Sequence, residues 1–510
     1  MRYGFVIDQR RCIGCHACTV ACKEENQVPL GAFRTWVKYV ERGTFPHTRR
    51  YFAVLRCNHC DDAPCVAICP TSALYRRADG IVDFDGARCI GCKSCMQACP
   101  YDALYIDPQT GTAAKCHYCA HRVEVGLEPA CVIVCPVQAI VAGDLDDPAS
   151  RIARLVATEQ VQVRKAEQGT RPKVFYLGAD SSALSPSLQA PATQYLWAER
   201  PEAELDLVRM VAAAESRDPR SDGALSRPVY DVPHTPRPWG WKVSTYLWTK
   251  SVSAGALLVA AAGVLTGQAS GGWLAGVLAP VLALVFLALT TGLLVFDLER
   301  PERFHYVLLK PNRKSWLVLG CWILIAYGAV GTVWLLCGLA GKSGVLSLLA
   351  IPTILLAAAA AGYSAFLFGQ AEGRDFWQSP LRLPHLLVAA VVAGAAGLLV
   401  LQLLTGRDDA GVAILGTVLA GALVAQALAL LAELSVPHGA VDSARAARLI
   451  TRGEWRWRFW GGVVVAGTAL PLGLLALGPA ASGVAAILAL AGLWIYEDLW
   501  IKAGQSIPLS

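Results

Sequence analysis

The chain carries none of the signatures of substrate turnover: no P-loop, no dinucleotide fingerprint following a strand, and no nucleophile–base pair in a usable setting. Nucleotide hydrolysis, nicotinamide chemistry and acyl transfer are therefore not activities of these residues alone. A concentrated basic face is missing too. The formal net charge is only +6, and the basic residues of the second half sit in short clusters between apolar runs, so nucleic acid is not an expected partner. No apolar h-region or small-residue cleavage site precedes the first cysteine. Arg10-Arg11 runs straight into Cys12 with no apolar stretch behind it, so neither a cleavable signal nor a twin-arginine export signal is expected.

What is present is divided sharply. Of the 18 cysteines in 510 residues, 16 fall between Cys12 and Cys135, whereas nearly all long apolar runs follow Trp241. With 55% hydrophobic residues overall, the two halves answer to different solvents.

The cysteines form four groups: Cys12, Cys15, Cys18 and Cys22; Cys57, Cys60, Cys65 and Cys69; Cys89, Cys92, Cys95 and Cys99; Cys116, Cys119, Cys131 and Cys135. The first and third follow C-x2-C-x2-C-x3-C, in which three close thiolates clasp one iron–sulfur cluster and the fourth ligates another. A tight loop containing Gly14 or Gly91 can turn three sulfurs inward, while the fourth, about a helical turn on, faces away. Disulfides and structural zinc are the competing readings. Disulfides suit small secreted domains, and zinc prefers paired knuckles closing at four ligands, which accounts for neither the triplets nor the trailing Cys-Pro. Three groups end in Cys-Pro with similar continuations (CPTSALY, CPYDALY, CPVQAIV), the mark of an internal repeat. ALYRRADGIVDFD and ALYIDPQTGTAAK each read as two short strands about a turn, and RIARLVATEQVQVRK and PKVFYLG as a helix and a strand. So little apolar core implies that metal clusters hold this domain together. Sixteen thiolates satisfy four clusters, leaving His16, His59 and His117 as neighbours rather than ligands. Residues 181–238, rich in Pro, Ser and Asp, read as a linker or as a stretch contacting a partner.

Beyond Lys242, eight runs approach the length of about 20 residues that crosses a bilayer, near 244–267, 272–296, 316–339, 344–368, 384–404, 411–435, 459–478 and 480–500. Tryptophans gather at the expected interfaces, among them Trp239, Trp241, Trp248, Trp455, Trp457 and Trp460. Eight spans put both bundle ends on one face. The connections there hold nearly all the basic residues, including Arg300, Arg303, Lys310, Arg313, Lys314, Arg445 and Arg448, against little beyond Lys342 and Arg407 opposite. The positive-inside bias puts the cysteine domain on the cytoplasmic side of the cell inner membrane. Ionisable residues near that face, Lys250, Asp297, Glu433, His438, Glu497 and Asp498, are either functional or structural ion pairs. The phrases DLERPERFHYVLLKPNRKSWLVLG and ARLITRGEWRWRFW resemble NrfD-type membrane anchors, which handle quinones. That resemblance makes Asp297, Glu433 and His438 the candidates for binding a quinone, since a quinol gives up protons with its electrons. Tyr246 and Trp248 could wall the headgroup or simply pack. His385 is the only histidine near a span start, so two facing axial ligands cannot be assembled and no heme is expected.

Residues 1–180, on these cysteine motifs, resemble the four-cluster ferredoxin subunits of molybdopterin oxidoreductases of the dimethyl sulfoxide and polysulfide reductase type. The resemblance implies four 4Fe-4S clusters: one held by Cys12, Cys15, Cys18 and Cys135; a second by Cys22, Cys116, Cys119 and Cys131; a third by Cys57, Cys60, Cys65 and Cys99; a fourth by Cys69, Cys89, Cys92 and Cys95. The phrases PWGWKVSTYLWTKSVSAG, DLERPERFHYVLLKPNRKSWLVLG and ARLITRGEWRWRFW are similar to NrfD-type polysulfide-reductase membrane anchors, which handle quinones without heme; the likeness covers about residues 236–500, and the membrane domain is expected over 239–510. The expected fold is an α+β ferredoxin-like iron–sulfur domain followed by an all-α eight-helix transmembrane bundle. The expected function is a non-catalytic redox subunit and membrane anchor, relaying electrons between a molybdopterin catalytic subunit and menaquinone or ubiquinone. The alternatives are an anchor or ion-translocating module of a hydrogenase-type complex, or a free-standing ferredoxin:quinone oxidoreductase.

Overall fold

Each half builds the architecture that its solvent permits. The computed structural model describes residues 1–43, 46–189, 226–234, 237–268, 272–405, 409–435 and 439–510. The amino-terminal half is mixed α/β. Strand β1 (Tyr3–Asp8) alternates little because both its faces are covered. Its neighbours include β8 (Ile140–Asp144), antiparallel, and β10 (Val174–Leu177), parallel, with β9 (Val161–Gln162) at the edge. A second sheet is the hairpin of β2 (Thr35–Arg42) and β3 (Arg49–Arg56). The two expected short hairpins are present as β4 (Leu74–Arg76) with β5 (Val82–Phe84) and β6 (Leu104–Asp107) with β7 (Thr112–Lys115).

The internal repeat extends to backbone conformation. In CIGCHAC and CIGCKSC, Gly14 and Gly91 have φ of 70° and 68°, and His16 and Lys93 have φ of 60° and 62°, the left-handed turns that curl three thiols around one centre. After each Cys-Pro, the second residue on is again left-handed: Ser72, Asp102 and Gln138. The chain then turns amides back toward sulfur, as Leu74 N–H does to Cys69 Sγ (3.5 Å) and Ala139 N–H to Cys135 Sγ (3.2 Å). The stretch read as a helix over 151–165 is shorter. The helix runs Arg151–Thr158, capped by the Ser150 hydroxyl, and Val161 is then drawn into β9 against Leu177, a tertiary pairing that overrides local propensity.

Of the joining segment 181–238, residues 190–225 lie outside the described residues, and its two ends are built into the cluster domain. Ser181–Leu184 forms a short helix, and Arg227–Tyr230 (β11) adds an antiparallel strand to the free edge of β2. His234 fastens this return. Its Nδ1 lies 2.7 Å from Asp102 Oδ2 and its Nε2 3.3 Å from Asp231 Oδ1, while Asp231 also pairs with Lys38 at 3.3 Å. Burial opposes a charge on the imidazole, but the hydrogen bonds and charges of the two aspartates outweigh it and push His234 up to about 9. An unfolded histidine titrates near 6.5, so this stabilisation is complete below that pH and is lost as the pH climbs through about 9. Between pH 7 and 9.5 the unsubstituted chain should lose about 2 kcal/mol that His234→Gln does not lose. Thermal unfolding of the cluster domain, followed by its visible absorption in both proteins, measures the difference.

Among the described residues, the second half contains eight helices long and apolar enough to cross a membrane: Trp241–Leu265, Leu274–Phe296, Trp316–Leu339, Ser343–Gly369, Arg382–Thr405, Ala410–Glu433, Arg458–Ala476 and Pro479–Gln505. The first and fifth are the most buried and form the centre of the bundle. They cross at Gly255 and Gly394, where a Cβ on Gly255 would lie 1.7 Å from Ala390 O; only glycine allows backbones so close.

The halves are packed together through the loop between the second and third spans. Two of its basic residues donate to backbone carbonyls of the cluster domain: Arg303 Nη1 to Gly86 O (2.7 Å) and Cys89 O (3.1 Å), and Arg300 Nε to Thr110 O (2.6 Å). Asn312 Nδ2 donates to Cys69 O (2.8 Å) and the Ser315 hydroxyl to Ile68 O (2.7 Å). The stretch after the last span closes on the same domain, with Leu509 O accepting from Arg164 Nη2 (3.1 Å).

Candidate redox relay and membrane cavity

Among the described residues of the cluster domain, four small cavities are each lined by four cysteines drawn from two of the sequence groups. One is bordered by Cys12, Cys15, Cys18 and Cys135. The others are bordered by Cys22, Cys116, Cys119 and Cys131, by Cys57, Cys60, Cys65 and Cys99, and by Cys69, Cys89, Cys92 and Cys95. None of the cysteines is in a disulfide. Among the described residues no three His, Cys, Asp or Glu side chains converge as the ligands of one metal ion. Thiols spread around a cavity suit a polynuclear cluster better than a single tetrahedral zinc. The remaining walls of the first, third and fourth are mostly apolar, as with Val37, Val54 and Ile140 around the first, whereas Asn26, Arg34, Thr35 and Arg56 line the second.

The cavities follow one another. Cys18 and Cys22, on one short helix, serve the first and second; Cys65 and Cys69 serve the third and fourth. Cys116 of the second set and Cys57 of the third are close enough to feel each other's charge. At one end Cys15 is exposed, with Ile13, Val20 and Ile133 as exposed apolar neighbours in sequence to the first set. At the other end Cys92 reaches the membrane half.

There Cys92, Ile90 and Ser94 form part of the wall of a cavity of about 340 Å³. Its other walls come from Trp239, from the loop after the second span (Phe304, Val307) and from the first four spans, including Tyr246, Leu287, Cys321 and Tyr363. Trp239 Nε1 donates to Cys92 O at 3.1 Å, joining cluster loop and cavity wall. The volume and the apolar lining with few polar groups suit a planar lipid-soluble ligand.

Asp297 lines this cavity at the carboxyl end of the second span. Lys93, the residue after Cys92, approaches it at 4.0 Å and donates to its backbone carbonyl at 3.2 Å. Burial raises the Asp297 carboxyl above its ordinary range, and Lys93 and Lys242 only partly offset it. Glu433 lies elsewhere: it accepts a 2.7 Å hydrogen bond from the Tyr496 hydroxyl, and Tyr496 stacks on His385 at 4.6 Å. His438 lies outside the described residues. Tyr246 lines the cavity, whereas Trp248 packs on Phe286 and donates to Leu490 O.

Three other intramembrane charges have protein partners. Glu497 pairs with Arg382 at 2.8 Å, both fully buried. Asp498 pairs with Lys502 (2.7 Å) and Arg458 (3.0 Å), and Lys250 donates to Ser364 Oγ (2.6 Å) and Ala361 O (2.8 Å). Tyr363 and Cys321 are cavity residues that sequence reasoning missed. An aromatic or thiol inside an apolar run carries no signal that separates a cavity wall from a packed core.

Residues 232–507 match the family model described as polysulphide reductase, NrfD. Residues 48–145 match the 4Fe-4S dicluster domain and residues 10–26 a 4Fe-4S binding domain. Among curated proteins, the chain is similar to a tetrathionate reductase subunit of Salmonella typhimurium, 49% identical over 202 residues covering 39% of this chain and 80% of the relative. The putative dimethyl sulfoxide reductase iron-sulfur subunit of Halobacterium salinarum is 37% identical over 266 residues, 46% of this chain and 96% of the relative. A polysulfide reductase polypeptide of Wolinella succinogenes is 42% identical over 182 residues, 34% of this chain and 93% of the relative.

Proposed function

The chain belongs to the polysulphide reductase NrfD family, joined here to a 4Fe-4S dicluster domain in one polypeptide, and from that premise we propose that it wires a molybdopterin catalytic subunit to the membrane quinone pool. The observation that carries the reading is the position of Cys92, which borders both the fourth cysteine-lined cavity and the 340 Å³ membrane cavity. Bound clusters supply one-electron carriers in series. The four cavities support the ligand sets Cys12/Cys15/Cys18/Cys135, Cys22/Cys116/Cys119/Cys131, Cys57/Cys60/Cys65/Cys99 and Cys69/Cys89/Cys92/Cys95.

The chain's own residues do the rest. Tyr246, Tyr363 and Trp239 wall a quinone headgroup, and Asp297 exchanges a proton with a ring oxygen as electrons pass by way of the Cys92 loop. Without such an exchange, quinone reduction by two electrons would leave a dianion in an apolar cavity. The catalytic partner docks over exposed Cys15 at the opposite end. The domain lies on the cytoplasmic side of the inner membrane; Arg300 and Arg303, which bind cluster-loop carbonyls, count less toward that orientation than Arg448, Arg452 and Arg456.

A second reading, an ion-translocating bundle, is favoured by one observation. Lys250, against the Tyr363 ring at 4.7 Å, and the Arg382–Glu497 pair form polar groups in the bundle interior beyond the cavity. Purification of the native complex decides on the partner. Stoichiometric molybdenum and a large co-eluting subunit are expected, whereas a nickel-containing subunit, or none, refutes the assignment.

A further inference from the structure

Arg56 closes strand β3 immediately before Cys57 and is 1% exposed. Its Nη1 donates to Cys131 Sγ at 3.2 Å, and the guanidinium lies 4.5 Å from the Phe5 ring centroid. Nε and Nη2 are buried with no hydrogen-bond partner, and among the described residues no carboxylate forms an ion pair with it. A buried cation without a counter-charge is costly. Lys115 nearby shows the usual solution: it is also fully buried, but its Nζ donates to the carbonyls of Val82 and Cys116. Arg56 has no such carbonyls. What it has is sulfur. It lines the cavity of Cys22, Cys116, Cys119 and Cys131, where Asn26 Nδ2 also approaches Cys22 Sγ (3.7 Å) and Cys119 Sγ (3.8 Å). Arg34 lines the same cavity, whereas among the described residues no lysine, arginine or carboxylate stands in the wall of the first or the third cavity.

A cubane held by four thiolates is anionic and becomes more so on accepting an electron, and donors and positive charge at its sulfurs favour the reduced form. We infer that Arg56 is a positioning residue that sets the potential of the second cluster, holding it easier to reduce by a fixed charge and by N–H donors aimed at its sulfurs. Arginine keeps its proton across the accessible pH range, so the effect adds no proton to the electron transfer. Beside Cys57 in sequence and against Cys131 in space, Arg56 sits where electrons pass between the second and third cavities. Its charge therefore levels or steepens that step.

The inference rests on the ligand sets proposed above, and its test separates the two. The full chain, purified anaerobically in detergent, is titrated with dithionite and ferricyanide and followed by electron paramagnetic resonance, as wild type, Arg56→Gln and Arg56→Lys. With iron and sulfide retained, Arg56→Gln should shift one cluster's reduction equilibrium at least about tenfold toward the oxidised form, about 59 mV for one electron. Arg56→Lys should recover most of that shift. Four retained clusters with unmoved potentials overturn the role of Arg56; fewer than four in the unsubstituted chain overturn the ligand sets. If Arg56→Gln fails to assemble, the full chain carrying Arg34→Gln, which removes the other guanidinium of that cavity wall, grown on guanidinium-¹⁵N arginine, decides the matter by pulsed resonance. Nitrogen coupling to one reduced cluster supports the inference, and its absence refutes it.

Discussion

Asp297→Asn is expected to slow quinone-dependent reoxidation of the dithionite-reduced clusters by about a hundredfold or more, the scale of losing a positioned acid or base, while iron and sulfide content stay the same. Asparagine preserves the shape of the side chain and its place in the cavity wall but cannot carry a proton. The carboxyl is suited to that task because burial lifts it above its ordinary range, keeping the acid form to higher pH. The sign follows: in the unsubstituted chain the rate should fall as the pH rises through the raised carboxyl pKa, and that limb should be missing from Asp297→Asn. Stopped-flow absorbance over a pH series measures both. An unchanged rate and an unchanged profile would reduce Asp297 to a seat for Lys93, which holds its backbone carbonyl at 3.2 Å.

The second large effect is expected at Cys92. It is the one cysteine that borders both a thiol-lined cavity and the membrane cavity, so Cys92→Ala should remove or cripple the fourth cluster and reduce electron exchange with quinone to background. The other three clusters should still be reduced by dithionite. Cys12→Ala, at the far end of the relay, should leave quinone-driven oxidation of the fourth cluster intact. Equal loss in both variants would mean that quinone meets the relay somewhere other than the Cys92 loop.

The contrast between these residues shows what a sequence can carry. The thiols were legible because cluster ligation is written in local spacing, and Gly14 and Gly91 mark the left-handed turns that such spacing needs. The spans were legible because bilayer thickness sets helix length. The eighth nevertheless runs to Gln505, past the expected end near residue 500. Glu497, Asp498 and Lys502 look like a terminus by hydropathy, but Arg382, Arg458 and Lys502 pair with the two carboxylates and let the helix continue.

The cavity was not legible. Its walls come from a cysteine loop, the residues before the first span, the loop after the second span and four separate spans, and no local pattern joins Cys92 to Tyr363. The same limit applies to Glu433, whose carboxylate is committed to Tyr496 through a contact between the sixth and eighth spans. Arg300 and Arg303 count in the sequence toward the positive-inside bias, yet their guanidiniums fasten the cluster domain to the bundle through carbonyl oxygens.

Electron passage from thiol-bound clusters to a quinone beside Cys92 is the central step of the proposed relay. The most direct test adds an oxidised menaquinone or ubiquinone analogue to the anaerobic, dithionite-reduced and desalted full chain and follows the cluster resonances. The predicted result is collapse of all the cluster signals with matching formation of quinol, blocked in Cys92→Ala. Persistent cluster signals in the presence of excess quinone, in a chain with full iron and sulfide, would contradict it.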